Sequence, residues 1–217
     1  MRMAFPRFFI VALQAFALIC TGFAGAQESP AASSSSKSKQ KTEQRVKPSA
    51  PAPTDEGLYR NPEFGFTYQV RYGWVDRTEV MQPAANDPSQ SRLLLAAFEH
   101  PPEVAGEGVN SAVVITVESA AAYPGLKTAA DYMGPLTELT TSKGFKATQD
   151  PYEFPVGSQT LVRGDFTKNR GSLTMYQSSL VMLRKGSLVS FTFIGGSQDE
   201  VDELVEKLAF PASPKHR

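Results

Sequence analysis

The chain has 217 residues, equal numbers of basic and acidic side chains, and a single cysteine, Cys20. A domain of about 150 residues buries close to 70% of its unfolded surface, so this length supports one well-packed core. Residues 57–212 carry 13 basic and 18 acidic residues. That balance excludes the concentrated basic surface on which nucleic-acid binding depends.

Residues 1–26 have the pattern of an export signal. Two arginines precede an apolar run, Phe8–Cys20, and the Ala-x-Ala pattern at Ala24–Ala26 suits cleavage before Gln27. The run is shorter than the roughly 18 residues of a transmembrane helix, so no integral membrane span is expected after cleavage. Retention as an N-terminal anchor is the alternative. The signal pattern predicts a periplasmic or secreted protein. Because cleavage would remove Cys20, the only cysteine, the mature protein is expected to have no disulfide.

Residues 27–56 differ in composition from the rest of the chain. This stretch consists mainly of Ser, Ala, Pro, Lys and Gln, has no aromatic residue, and contains one large aliphatic, Val46. Such a segment cannot bury enough apolar surface to offset the entropy of ordering, so we predict a disordered linker. A single domain is then expected over residues 57–212, followed by a short tail at 213–217.

Alternation of apolar and polar residues dominates from Gly57 onward. It predicts strands near residues 58–60, 64–72, 92–99, 111–119, 145–154, 159–168, 172–185 and 187–195. Lys185-Gly186 has the composition of a tight hairpin turn, and residues 169–171 (Asn-Arg-Gly) that of a longer one. The last three strands should therefore form an antiparallel meander.

A first helix is predicted over residues 126–143. Thr128 and Asp131 resemble a capping box, and Gly144 suits the position just after the helix. The Gly134-Pro135 pair should kink or divide this helix, because proline lacks the backbone donor and clashes with the preceding turn.

A second helix is predicted to begin after Ser197. Ser197 and Glu200 form a capping-box pattern, and apolar residues follow at helical spacing, at Val201, Leu204, Val205 and Leu208. Pro211 is expected to end the helix.

Residues with catalytic or metal-binding chemistry are sparse. Beyond the signal there are two histidines, His100 and His216, and neither has another histidine or a cysteine at ligand spacing. We therefore expect no metal site, no cofactor and no catalytic residue, and predict that the protein is not an enzyme. The Arg163-Gly164-Asp165 tripeptide spells an adhesion motif, but it lies inside an alternating run. Its two charged side chains are expected to form cross-strand polar pairs.

The stretch from Phe64 to Trp74 (FGFTYQVRYGW) places an apolar or aromatic residue at every even position. This stripe predicts the buried face of a strand. Tyr72 and Trp74 come at its end, where a polar tip can reach water, so they are the candidate partner-binding residues. Two polar loops, 82–91 and 100–110, are further candidates, because connecting loops commonly carry binding function.

The same stretch resembles the opening of PsbP-like proteins. Both have a turn, a Gly-Phe pair, an alternating strand and a Gly-Trp pair in this order. The order of elements over residues 57–211 also resembles this family and the related Mog-type Ran-binding proteins. The resemblance implies an α+β fold, an antiparallel sheet flanked by helices in an α/β/α sandwich. Members of these families bind protein complexes or a small GTPase, which implies a binding module.

Two hypotheses for function follow. The first is an exported, non-catalytic accessory module that binds an envelope protein or complex. The second is an extracytoplasmic domain that binds a small molecule or lipid, or a hydrolase with an unrecognised site. A pocket inside the sandwich, lined by Met175, Met182 and Phe191, would favour the second. The sequence leaves the oligomeric state open.

Overall fold

The computed structural model describes residues 57–83, 91–104 and 106–211. The predicted export signal, the predicted linker and the predicted tail at 213–217 lie outside the described residues. Most of the predicted loop 82–91 also lies outside the described residues. The predictions for these four segments are therefore not tested by the structure. Within the described part, strands and two α-helices form two antiparallel sheets.

The larger sheet has eight strands, all paired antiparallel. In spatial order its first six are β3 (Val75–Asp76), β4 (Arg92–Phe98), β5 (Ala112–Ser119), β10 (Ser187–Gly195), β9 (Leu173–Arg184) and β8 (Gln159–Arg170). Two short strands, β6 (Lys146–Ala147) and β7 (Tyr152–Val156), share the outer edge of β8. The single strand predicted over 145–154 is thus two strands, and β7 extends the predicted meander to four.

All three hairpin turns of this four-stranded meander are two residues long. Lys185 and Gly186 have φ values of 52° and 73°, which confirms the tight turn expected there. The longer turn predicted at 169–171 is wrong, because β8 continues to Arg170, which pairs with Leu173. Gly171 has a φ of 62°. A positive φ at this position is what allows a two-residue connection.

The smaller sheet is formed by β1 (Leu58–Asn61), β2 (Phe66–Gln69) and β11 (Leu208–Ala209). The strand predicted over 64–72 is shorter than expected, since Phe64 lies in the turn before β2. Its aromatic stripe is nevertheless core. Phe64 and Phe66 are each 1% exposed and Tyr68 is 0% exposed, which confirms the buried face.

Helix α1 spans Ala129–Ser142 and begins at the predicted capping box. Thr128 accepts a hydrogen bond from the Asp131 amide, and the Asp131 carboxylate accepts one from the Thr128 amide. The helix continues through Pro135, so the predicted division is wrong. Buried residues lie on both sides of the proline, Tyr132 and Met133 before it and Thr140 after it. This packing outweighs the one backbone hydrogen bond that proline removes.

Helix α2 spans Gln198–Val205 with Ser197 as its N-cap. Val201, Leu204 and Val205 are buried, as the helical spacing predicts. The helix ends before the predicted stop at Pro211, because Leu208 belongs to β11 and pairs with Tyr68 of β2. Leu208 is still 3% exposed, so it joins the core from a strand instead of a helix.

The two helices lie on opposite faces of the larger sheet. Helix α1 packs on β6, β8 and β9, while α2 packs on β9 and β10. We call these faces the α1 face and the α2 face. The smaller sheet also covers the α2 face, where its aromatic residues join one large core cluster with α2. The predicted α+β class and the helix–sheet–helix layering are confirmed.

Candidate partner-binding surface

Tyr72 lies at the tip of a turn between β2 and β3. Its side chain is 105% exposed, the highest value among the large hydrophobic residues that the structure describes. The next residue, Gly73, has a φ of 82°, and its position has no other atom within 4 Å of an added Cβ. The turn closes through a hydrogen bond from the Trp74 amide to the Arg71 carbonyl. Gly73 thus permits a reversal that presents Tyr72 to solvent.

The residues on either side of Tyr72 are attached to the domain. Trp74 is half-buried and packs against the α2-face core. Arg71 donates to the Glu203 carboxylate on α2 at 2.6 Å, and its guanidinium lies 5.9 Å from the Trp74 ring centroid. Of the two predicted contact residues, Tyr72 therefore projects outward, whereas Trp74 mainly supports the turn. Their role in binding stays a prediction.

Glu200 connects the first turn of α2 to its surroundings. One of its carboxylate oxygens accepts from the Ser111 hydroxyl, and the other accepts from the Gly196 amide at 2.8 Å. Ser197 accepts from the Glu200 amide, as in a capping box. In a full capping box the Glu200 carboxylate would also accept a hydrogen bond from the Ser197 amide. Here it accepts instead from the amide of Gly196, one residue upstream. Glu200 therefore ties α2 to the start of β5, close to where Arg71 is held.

The described part of the 100–110 loop is closed at its base. The Asn110 side chain accepts from the His100 amide at 3.0 Å and donates to the His100 carbonyl at 2.9 Å. Glu103 forms an ion pair with Arg77, which connects this loop to the segment after β3. Val80 and Val104, on these two segments, are 72% and 61% exposed. The loop and the segment after β3 therefore each present one exposed valine from a tied backbone.

Arg163 and Asp165 form a buried polar cluster under α2. The Arg163 guanidinium donates to Asp165 at 2.8 Å and to Ser178 at 2.9 Å, and it also contacts Asp202 on α2. Tyr152 donates to the other Asp165 oxygen at 3.0 Å. The adhesion tripeptide is thus buried, and the predicted cross-strand polar pairs are present. The contact to Asp202 was not predicted, because no local pattern connects β8 with α2.

Opposing effects act on the pKa of both members of this pair. Burial raises the pKa of Asp165, but hydrogen bonds from Ser178 and Arg163 and the charge of Arg163 outweigh it, and the net pKa is lowered. Burial lowers the pKa of Arg163, yet its bonds to Asp202 and Asp165 raise it overall. Both groups are therefore charged in the folded protein at neutral pH.

A second buried cluster lies on the α1 face. Glu118 at the end of β5 accepts hydrogen bonds from the hydroxyls of Tyr132, at 3.0 Å, and Tyr123. Burial, followed by the charge of Glu118, raises the pKa of both tyrosines. The tyrosines thus remain protonated donors. They join α1 and the segment before it to β5, which is a structural role.

The described residues contain no group of three His, Cys, Asp or Glu side chains that could hold a metal ion. Neither described helix is long and apolar enough to cross a bilayer. The three residues predicted to line a pocket do not share one: Met175 lies on the α1 face, whereas Met182 and Phe191 lie on the α2 face. The period-two geometry of β9 separates them, since positions 175 and 182 differ by an odd number.

No family model and no curated protein matches this sequence. Solved structures do match its fold. The solution structure of PsbP from the cyanobacterium Synechocystis is 12% identical, covering 75% of this chain and 98% of that one, with a TM-score of 0.47. PsbP-like proteins are also the family that residues 64–74 resemble in sequence.

Two further solved structures are similar. LpqN of Mycobacterium tuberculosis, described as involved in cell envelope biogenesis, is 10% identical over 70% of this chain and 88% of that one, with a TM-score of 0.36. A Pseudomonas aeruginosa protein of unknown function is 16% identical over 67% and 85%, with a TM-score of 0.37. These likenesses concern the fold alone.

Proposed function

We propose that this protein is an exported, non-catalytic accessory module that binds a protein partner in the cell envelope through the Tyr72 turn. One observation carries the proposal: a fully exposed tyrosine stands on a turn whose two flanking residues are attached to the domain. Export is expected from the signal pattern of residues 1–26.

Tyrosine is well suited to such a contact. Its ring supplies a large contact area, its hydroxyl can form a hydrogen bond, and it is enriched among the residues that dominate binding energy. Trp74 and Arg71 hold the backbone on either side, so little additional ordering is needed when a partner binds. In this arrangement Tyr72 makes the contact and Trp74 keeps the turn in place.

Site-specific photo-crosslinking in intact producing cells tests this proposal. A benzophenone amino acid is placed at position 72 in the full chain, and a matched control carries it at Glu138, an exposed position on the α1 side of the domain. We expect a discrete adduct with an envelope protein at position 72 and none at position 138. Mass spectrometry of the adduct then identifies the partner.

The purified partner provides the quantitative test. Tyr72→Ala should weaken its binding by about tenfold or more, as for a residue at the centre of an interface. Glu138→Ala should leave binding unchanged. An adduct that forms equally at both positions, or a Tyr72→Ala variant with full affinity, would refute the proposed surface.

A further inference from the structure

Two turns at one end of the domain are joined by basic side chains. The first turn, residues 61–65, connects β1 to β2, and the second, Lys185-Gly186, connects β9 to β10. Lys185 Nζ donates a hydrogen bond to the Glu63 carbonyl at 2.8 Å, which ties the second turn to the first. Arg92, the first residue of β4, forms an ion pair with the Glu63 carboxylate at 2.7 Å. We call this arrangement the paired turns.

Arg184, the last residue of β9, adds a third cation at the same place. Gly65 has a φ of 69°, and a Cβ added there would lie 3.3 Å from a guanidinium nitrogen of Arg184. Because glycine has no side chain, this guanidinium can lie directly against the turn. Arg184 is half-buried, and its guanidinium forms no hydrogen bond or ion pair with any residue that the structure describes. Its N–H donors are therefore available to a ligand.

The backbone at Lys185 indicates a role for its side chain beyond the turn itself. Its φ of 52° is the only positive value at a non-glycine residue in the described part of the chain. Asparagine and glycine adopt this conformation more readily than lysine and are the usual residues in such turns. Backbone strain of this kind is a reason to look for function. The ammonium group has three donors, and the Glu63 carbonyl takes one of them.

The charges at the paired turns indicate the kind of ligand. Three cations, Arg92, Arg184 and Lys185, and the single carboxylate of Glu63 give these side chains a net charge of +2. A phosphate monoester carries a charge of about −1.5 to −2 near pH 7 and has three strong acceptor oxygens. Guanidinium groups bind phosphate oxygens in a bidentate geometry. The paired turns therefore fit one phosphate group, whereas a nucleic acid needs many more cations.

We propose that the paired turns form a binding site for a small molecule that carries a phosphate monoester group. Arg184 and Lys185 bind the phosphate oxygens, and Arg92 shares its donors between the phosphate and Glu63. This site precedes β2 in the chain, whereas the Tyr72 turn follows β2, so the two surfaces lie at opposite ends of that strand. The site is thus separate from the proposed partner surface.

Nuclear magnetic resonance titration of the isotopically labelled full chain at low ionic strength tests the site. The probes are inorganic phosphate and glycerol 3-phosphate, and glycerol is the uncharged control. We expect both phosphate probes to cause saturable chemical-shift changes at the amides of Gly65 and Gly186, and glycerol to cause none. Binding should weaken as salt is added, because screening reduces the attraction between exposed charges.

Substitutions that change the charge of the site in opposite directions sharpen the test. Arg184→Gln removes the unpaired guanidinium and should weaken the binding of glycerol 3-phosphate by about tenfold. Glu63→Gln removes the carboxylate and should tighten that binding. Arg170→Gln is the matched control, because Arg170 is an exposed arginine that precedes the two-residue turn at the other end of β9. Its affinity for the probe should equal that of the parent chain.

Lys185→Asn separates binding from structure. Asparagine accepts a positive φ more readily than lysine does, so this variant should fold with an unchanged or higher melting temperature. It should nevertheless bind glycerol 3-phosphate several-fold more weakly, since one cation of the site is lost. If Arg184→Gln fails to fold, the comparison of Lys185→Asn with Arg170→Gln decides the proposal.

Any of four results would overturn the proposal. Neither phosphate probe gives saturable changes, or the changes map away from the paired turns. Arg170→Gln weakens binding as much as the site variant that folds, which would indicate only general attraction to positive charge. Alternatively, a hexaglutamate peptide binds through Arg184 while the phosphate probes do not, which would assign the surface to an acidic protein segment.

Discussion

The two faces of the larger sheet carry different chemistry on the same strands. On β10, Phe191 and Phe193 belong to the aromatic core of the α2 face. Ser190 and Thr192, which alternate with them along the strand, lie on the α1 face. Side chains alternate along a strand, so one segment can serve packing on one face and polar contacts on the other. The difference indicates that stability rests mainly on the α2 face, where the large aromatic cluster lies.

The largest expected effect comes from neighbouring substitutions on β10. Phe191→Ala should lower the free energy of unfolding by about 4 kcal/mol, because it removes a fully buried ring and leaves a cavity. Thr192→Val should change it by less than about 1 kcal/mol, since this side chain is half-buried and the shape is kept. Urea unfolding measures both. Similar losses for the two variants would contradict the contrast between the faces.

The buried ionic cluster of the α2 face should respond next most strongly. Arg163→Met leaves the Asp165 carboxylate buried without its cation and should cost about 3 kcal/mol of unfolding free energy. Adding Asp165→Asn removes that uncompensated charge, so the double variant should lose less than the single one. Urea unfolding of the three proteins checks this order. A double variant less stable than Arg163→Met would show that the charge pair is not the source of the loss.

The lowered pKa of Asp165 predicts part of the sensitivity to acid. Its folded pKa lies below the unfolded value of about 3.9, so the stabilisation is complete above that value and is lost as the pH falls through the folded pKa. Asp165→Asn should therefore show a smaller decrease in unfolding free energy below about pH 4. Unfolding curves between pH 2 and 6 measure the slopes, and equal slopes would rule out this contribution.

The smallest effect is expected at the surface. Arg71→Ala removes ion pairs to Glu203 and Glu200, whose side chains are 66% and 27% exposed, so it should cost about 1 kcal/mol. The loss should shrink in high salt, because screening weakens exposed pairs. Unfolding at low and high ionic strength measures it. A loss as large as that of Arg163→Met would mean that the Tyr72 turn is part of the structural core.

Local patterns predicted the elements well where a few neighbouring residues decide the structure. The α1 capping box depends on Thr128 and Asp131 alone, and the Lys185-Gly186 turn on two residues that accept a positive φ. Pro135 does not divide α1, because packing on both sides of it holds the helix together, and the kink predicted as the alternative stays a prediction. The helical spacing wrongly placed Leu208 in α2. Leu208 pairs with Tyr68 of β2 and therefore lies in a strand.

The candidate sites were predictable to different degrees. The exposure of Tyr72 was predicted correctly, because residues at the end of an alternating strand pattern lie beyond the buried core. The contact between Arg163 and Asp202 was missed, since the two residues are 39 positions apart and lie on different elements.

The sequence by itself determined the α+β class, the alternating strands, the helix caps and the outward position of Tyr72. Each of these depends on the conformational preferences and burial of residues within a few positions of one another. The tertiary structure decided the order of the strands, the pairing of Arg71 with Glu203, and the contact of Arg163 with Asp202. These contacts join residues far apart in the chain, so they depend on how whole elements pack, and no short pattern encodes that packing.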